Sequence, residues 1–283
     1  MKFNVSCELE YTLNNPTTFL FALKCLETGG QKILGESVFT EPEVQIEDFH
    51  IVSGLNRFSR MQTFNPGMLS VIYRALVDVS HRIDSSAGLC EGRTGELNPE
   101  GIPFLFPSRY CQSDRIRQQA AAMFGHLRTP YEIATNVSDW IFENIAYVSG
   151  SSGETSSAMD TMEQRQGVCR DFAHLGIAMC RALDVPARYA TVYAYQLNPP
   201  DFHACFEVYI GGWWYIFDPT RLAPLNGLIR IATGRDAADA AVCTIFGDPQ
   251  LTKSVVSCDL ADSGFSPVTR DTLAEGSEVI ALL

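Results

Sequence analysis

The chain has 283 residues, 46% of them hydrophobic, and a formal net charge of −12 at pH 7. That length exceeds one small domain, and the hydrophobic content is ordinary for a globular protein. The acid excess makes nucleic-acid backbones and anionic membrane surfaces poor partners, and no apolar run approaches the ~18 residues of a membrane span, so neither nucleic acid nor membrane is expected.

Met1-Lys2-Phe3 opens into an alternating pattern broken by Glu8 and Glu10, with no secretory signature. Nine scattered cysteines include no Cys-x-x-Cys pair, which argues against a zinc or thioredoxin-type site. His50, His81 and His126 stand alone. No metal and no cofactor is expected. An unexported chain keeps its thiols reduced, so the expected compartment is the cytoplasm. The oligomeric state stays open.

The first 80 or so residues read as β-structure. Phe3, Val5, Cys7, Leu9 and Tyr11 alternate with polar residues at a period of two. Asn14-Asn15-Pro16 breaks the run, Phe19 to Leu26 predicts a second strand, and Ile33 to Thr40 a third. Pro66-Gly67 signals a turn, after which Leu69, Val71, Tyr73, Ala75, Val77 and Val79 line one face of a long strand. Strands at this spacing predict a small β-sandwich over 1–81. It carries no cluster of titratable groups, so packing or recognition is its expected role.

Residues 82–112, punctuated by glycine, proline and serine, form a connector. Residues 113–283 are expected to hold the chemistry. Ser113 is a candidate cap for a helix through Ile116, Ala120 and Met123. Thr129-Pro130-Tyr131-Glu132 has the cap, first-turn proline and third-position glutamate of a helix start. Ile133, Val137, Trp140 and Ile141 form its apolar stripe. After a Gly/Ser loop over 149–157, a short helix with Met159 and Met162 is expected to end at Gly167. The stretch 166–183, QGVCRDFAHLGIAMCRAL, predicts a helix with Phe172, Leu175, Met179 and Leu183 on one face, stopped before Pro186. Tyr189, Thr191, Tyr193 and Tyr195 share one face of the strand that follows.

Cys169 opens the 166–183 helix. Unpaired backbone N–H groups there favour a thiolate, the form that is strongly nucleophilic. Downstream, 201–220 reads DFHACFEVYIGGWWYIFDPT, two apolar strands around Gly211-Gly212. A two-residue turn pairs Ile210 with Trp213, Tyr209 with Trp214, Glu207 with Ile216 and Cys205 with Asp218. His203 then lies diagonally from Asp218 on one face, ~7–8 Å away at the backbone, which an imidazole can span. A three-residue loop would turn Asp218 to the other face. The set offers a nucleophile, Cys169, a base, His203, and an orienting carboxylate, Asp218.

The residues Gly167-Val168-Cys169-Arg170-Asp171-Phe172-Ala173-His174, His203-Ala204, Trp214-Tyr215 and Phe217-Asp218-Pro219-Thr220 resemble the transglutaminase-like superfamily, in particular its bacterial cysteine peptidases. The likeness covers about 130–240. It implies an α+β fold: a papain-like transglutaminase core, helices packed on an antiparallel sheet, preceded by an N-terminal β-domain. It also implies Cys169, His203 and Asp218 as a catalytic triad, a bacterial host, and acyl transfer through a thioester on a peptide or protein amide. Water as acceptor gives hydrolysis, and an amine gives cross-linking. A non-catalytic member would only hold a peptide. Tyr110 is a candidate donor to the oxyanion or thiol, Trp214 a candidate wall of the cleft, and His174 a candidate contact, although it lies five residues beyond Cys169 on another part of the helix.

Overall fold

The structure is a computed structural model that describes residues 1–50, 55–89 and 98–283. Strands β1 (Lys2–Leu13), β2 (Thr17–Phe21), β3 (Gln31–Glu41), β4 (Ile46–His50), β5 (Arg57–Thr63) and β6 (Gly67–Val79) come first. The inward residues of β1 and β6 are those the alternation selects: Phe3, Val5, Cys7, Leu9 and Tyr11 face Leu69, Val71, Tyr73, Ala75 and Val77, all buried. The expected second strand is shorter. β2 stops at Phe21, and residues 22–26 leave the sheet to plug the seam with the rest of the molecule. There the Ala22 N–H donates to Val242 O and the Leu26 N–H to Arg230 O, each at 2.9 Å.

The connector segment opens with β7 (His81–Ser85). Residues 90–97, with Cys90, lie outside the described residues. Next come α1 (Arg117–Phe124), α2 (Pro130–Asn144), β8 (Ala146–Tyr147), α3 (Ala158–Gln164), β9 (Gln166–Gly167) and α4 (Cys169–Ala182). Strands β10 (Ala187–Ala194), β11 (Phe202–Ile210), β12 (Trp213–Phe217) and β13 (Leu228–Gly234) follow. Short α5 (Ala237–Ala240), β14 (Cys243–Phe246), β15 (Gln250–Leu260), α6 (Arg270–Gly276) and β16 (Glu278–Leu282) complete the chain.

Two local expectations shift. Ser113 does not cap α1, which begins at Arg117 after Ile116. α3 ends at Gln164 because Arg165 turns left-handed (φ 57°), and Gly167 belongs to β9. The α2 start is as expected, with Thr129 accepting from the Glu132 N–H in a capping box.

The sandwich has two four-stranded sheets, β15-β1-β6-β3 and β14-β2-β5-β4. It therefore draws on 243–260 as well as on the 1–81 segment. The third large sheet is antiparallel, in the order β13-β10-β11-β12-β16-β7. Helix α4 packs on it so closely that a Cβ on Gly176 would lie 2.5 Å from the Phe206 ring. Every residue of α4 from Asp171 to Ala182 is buried, so this helix is the axis of the core. Buried Arg181 fastens the connector's end to that axis, donating to Phe106 O at 3.0 Å, Ser108 Oγ at 3.1 Å and Ala187 O at 2.9 Å. One hydrophobic cluster runs from the sandwich through α4 to the large sheet. Among the described residues, no helix is long and apolar enough to cross a membrane.

Candidate active site

Helix α4 presents Cys169 because its first turn is held both by its own side chains and by the segments around it. The buried Asp171 carboxylate accepts from the Val168 N–H at 2.8 Å, fixing the residue before the cysteine. Ahead of it, the parallel pair β8–β9 sets Tyr147 opposite Gly167, and the Val148 N–H donates to Gly167 O at 2.9 Å. Arg170 points outward and donates to Gly153 O, tying the 148–157 loop to the same turn. Cys169 remains partly exposed.

The hairpin β11–β12 delivers the other two groups. Gly211 and Gly212 both take positive φ (58° and 89°), which a two-residue turn of this hand requires. The register follows: Ile210 pairs with Trp213, Tyr209 with Trp214 and Glu207 with Ile216. His203 Nε2 lies 2.8 Å from Asp218 Oδ2, both side chains being almost wholly buried. Asp218 Oδ1 accepts from the Thr220 hydroxyl at 2.7 Å and from the Thr220 N–H at 2.9 Å. Both carboxylate oxygens are therefore committed and the ring is held in one plane. Cys169 is near enough to the same imidazole to act on its basicity.

Burial acts to lower the basicity of His203. The Asp218 charge and hydrogen bond, with the thiol, outweigh it and lift the imidazole to about 10. The Asp218 carboxylate thus favours the charged form of the ring. Farther along the same strand, buried Glu207 bridges Arg188 at 2.6 Å and Arg230 at 2.7 Å. The two guanidiniums share this one carboxylate, and although burial acts to raise it they hold Glu207 below the usual carboxylate range.

Three expected contacts are placed elsewhere. His174 is fully buried, stacked between Tyr110 and Tyr189 at 5.0 and 5.1 Å, and its Nε2 accepts from the Ala237 N–H. Burial, then Arg170 and Arg181, push its pKa well down, so it is a neutral core histidine. The Tyr110 hydroxyl donates to Glu154 O at 2.8 Å, which commits its proton away from any oxyanion. Trp214 lies four residues before Asp218, ~13 Å along the strand. It packs under Phe104 and Arg188, and its indole N–H donates to Glu100. That side chain is covered by the connector and is not a cleft wall.

Two residues at the site escape the sequence reading. Thr220 follows Asp218 by two, a spacing that favours a local side-chain bond. Tyr147 lies in a two-residue strand too short to leave a periodic signal. Burial first, then the neighbouring Cys169, push its phenol up to about 12.

The family model described as the transglutaminase-like superfamily matches residues 117–219, and that described as the bacterial transglutaminase N-terminal domain matches 1–92. The crystal structure of a "putative cysteine protease" from Cytophaga hutchinsonii is 47% identical, with a TM-score of 0.97 over 100% of this chain and 98% of that one. An uncharacterised protein of Mycobacterium leprae is 31% identical over 121 residues, 40% of this chain and 43% of that protein. One from Mycobacterium tuberculosis is 33% identical over 161 residues, 52% of this chain and 48% of that protein. The matched stretch thus spans less than half the length of these mycobacterial relatives.

Proposed function

The chain belongs to the transglutaminase-like superfamily, and on that premise we propose that it is a cysteine-dependent acyl-transfer enzyme that hydrolyses peptide or amide bonds. One observation supports the reading: the buried His203 imidazole is hydrogen-bonded to the Asp218 carboxylate, and the partly exposed Cys169 thiol is among the groups that raise its basicity. The thiolate attacks the amide carbonyl, forming the C–S bond and a tetrahedral oxyanion. As the C–N bond breaks, the imidazolium gives its proton to the leaving amine. The neutral ring then takes a proton from water as its oxygen adds to the thioester; the C–S bond breaks, the acid leaves, and the thiolate–imidazolium pair is restored. Asp218 keeps the ring in plane and steadies its charged form.

Hydrolysis is favoured over cross-linking because the 47% identical Cytophaga relative is described as a "putative cysteine protease". An amine acceptor would use the same first half-reaction. We place the reaction in the cytoplasm, where a nucleophilic thiol stays reduced. The test is incubation with casein, with and without dansylcadaverine. New peptide termini, lost by ~10³-fold or more in Cys169→Ala, are expected. Incorporation of the amine without cleavage would establish the cross-linking reading instead. Neither product would leave a peptide-binding member of the family.

A further inference from the structure

The reaction proposed above needs the Asp218 carboxylate held against His203, yet the β11–β12 ladder closes at Phe206–Phe217, one residue short of it. Asp218 is placed by the turn that follows. Its carbonyl accepts from the Arg221 N–H at 3.2 Å, and the Thr220 hydroxyl that donates to its carboxylate accepts from the Leu222 N–H at 3.3 Å. The chain leaves this turn through Arg221 in the left-handed region (φ 55°). That conformation is disfavoured for a residue with a Cβ and persists where the surroundings over-determine it. The surroundings here are on α2. Arg221 Nη2 donates to Asp139 Oδ1 at 2.6 Å, and its guanidinium lies 4.0 Å from the centre of the Phe142 ring, about one turn along the same helix. Arg270, at the start of α6, grips the same carboxylate in bidentate fashion, Nε to Oδ1 at 3.1 Å and Nη2 to Oδ2 at 2.9 Å. Asp139, Arg221 and Arg270 are only 30%, 25% and 22% exposed, so this is a braced cluster and not an open surface pair. Helix α2 in turn packs on α4, which carries Cys169, and on β11, which carries His203.

We propose that Asp139 and Arg221 are positioning residues for the acyl transfer: their ion pair, braced by Arg270, fixes the 218–221 turn and with it the Asp218 carboxylate beside the His203 ring. This assignment rests on the acyl-transfer reading. The Thr220 bonds to Asp218 lie inside the turn, so they set the carboxylate relative to the turn itself. The Thr220 hydroxyl reaches His203 Nε2 only at 3.5 Å. Arg221 carries the tie out of the turn to α2, and α2 rests on the elements that hold the other two groups. The remaining carboxylate near Arg221, Asp271, is 83% exposed at 3.8 Å and adds little. Asp139 and Arg221 act through Asp218, and no proton passes through the cluster.

A double-mutant cycle with Asp218→Asn separates this role from a merely structural one. Acyl transfer from casein is followed as new peptide termini or as dansylcadaverine incorporated, whichever the wild type makes, and calorimetry shows that each variant is folded. In Asp139→Asn, kcat is expected to fall ~10–100-fold, the scale of a group misplaced from a distance, with KM within about twofold. The same substitution made on Asp218→Asn is expected to change the residual kcat by less than about twofold, because the group it positions is already lost. Equal falls in the two backgrounds overturn the assignment, since they mark a role independent of Asp218. An unchanged kcat in folded Asp139→Asn overturns it too, as does a change in KM alone. If Asp139→Asn does not fold, Arg221→Gly goes through the same cycle: glycine suits the left-handed backbone and lacks the guanidinium, so full activity there overturns the assignment. If the wild type makes neither product, the acyl-transfer reading fails and takes the assignment with it. An active wild type with indifferent variants overturns the assignment alone.

Discussion

Burial by itself would leave His203 neutral, and its two partners reverse that outcome. The consequence can be read in stability as well as in activity. The folded-state pKa, about 10, lies above the ordinary imidazole value near 6.5. The charged pair with Asp218 therefore contributes fully below pH ~6.5, and the contribution is lost as pH rises through about 10. The difference in Tm between wild type and Asp218→Asn, measured by calorimetry, should be large at pH 6 and shrink above pH 10. A difference that grew with pH would contradict the imidazolium. The same variant should lose ~10³–10⁴ in amide turnover, because the ring loses its fixed orientation. Glu207 gives a second test. It lies between Arg188 and Arg230, with side-chain exposures of 0%, 14% and 4%. Glu207→Ala strands two buried cations, and urea unfolding should report a loss of ~3–5 kcal/mol.

At the scale of elements, the parts legible in the sequence are those fixed by a short-range rule. A two-glycine turn allows one register, which the ladder keeps as far as Phe206–Phe217, one pair short of the expected Cys205–Asp218, and His203 meets Asp218 just beyond the end of the strand. Period-two alternation gives β1 and β6, and a cap–proline–glutamate run gives the start of α2. Helix α4 is different. Of its predicted face, Phe172, Leu175 and Met179 are buried and Leu183, at the helix end, is half-buried, but Ile177, Ala178 and Cys180 are buried too. A helix covered all round has no outer face, and periodicity cannot then say which way His174 points. Likewise, nothing local to Trp214 announces the Phe104 and Glu100 side chains that cover it. The packing of α4 can be tested at Gly176. A methyl there meets Phe206 at 2.5 Å, and Phe206 lies on the strand that carries His203. Gly176→Ala should cost ~1–3 kcal/mol by denaturant unfolding and should also slow alkylation of Cys169. Full retention of both would show that the ring yields freely.

Over the whole molecule, the sheets are closed by strands distant in sequence. Ser6 pairs with Ser257 across β1–β15, and Phe19 with Ile245 across β2–β14. Similarly, β7 joins the sheet that holds β11 and β12 only through β16, at the far end of the chain. No local pattern reveals such partners, which is why the 1–81 segment reads as a self-contained sandwich. A chain cut after residue 242 would lack one edge strand of each sandwich sheet and the link between β12 and β7. It should unfold without a cooperative transition by calorimetry, and a sharp transition would show that those strands are dispensable. What this assembly achieves is the meeting of one thiol and one imidazole from elements 34 residues apart, Cys169 on α4 and His203 on β11. The most direct test is the pH dependence of iodoacetamide alkylation at Cys169, mapped by mass spectrometry in wild type and in His203→Ala. Modification faster than at the other thiols across the pH range, and slowed in the variant, is the expected result. Modification no faster than at Cys180 or Cys243, and unchanged in His203→Ala, would contradict the thiolate–imidazolium pair.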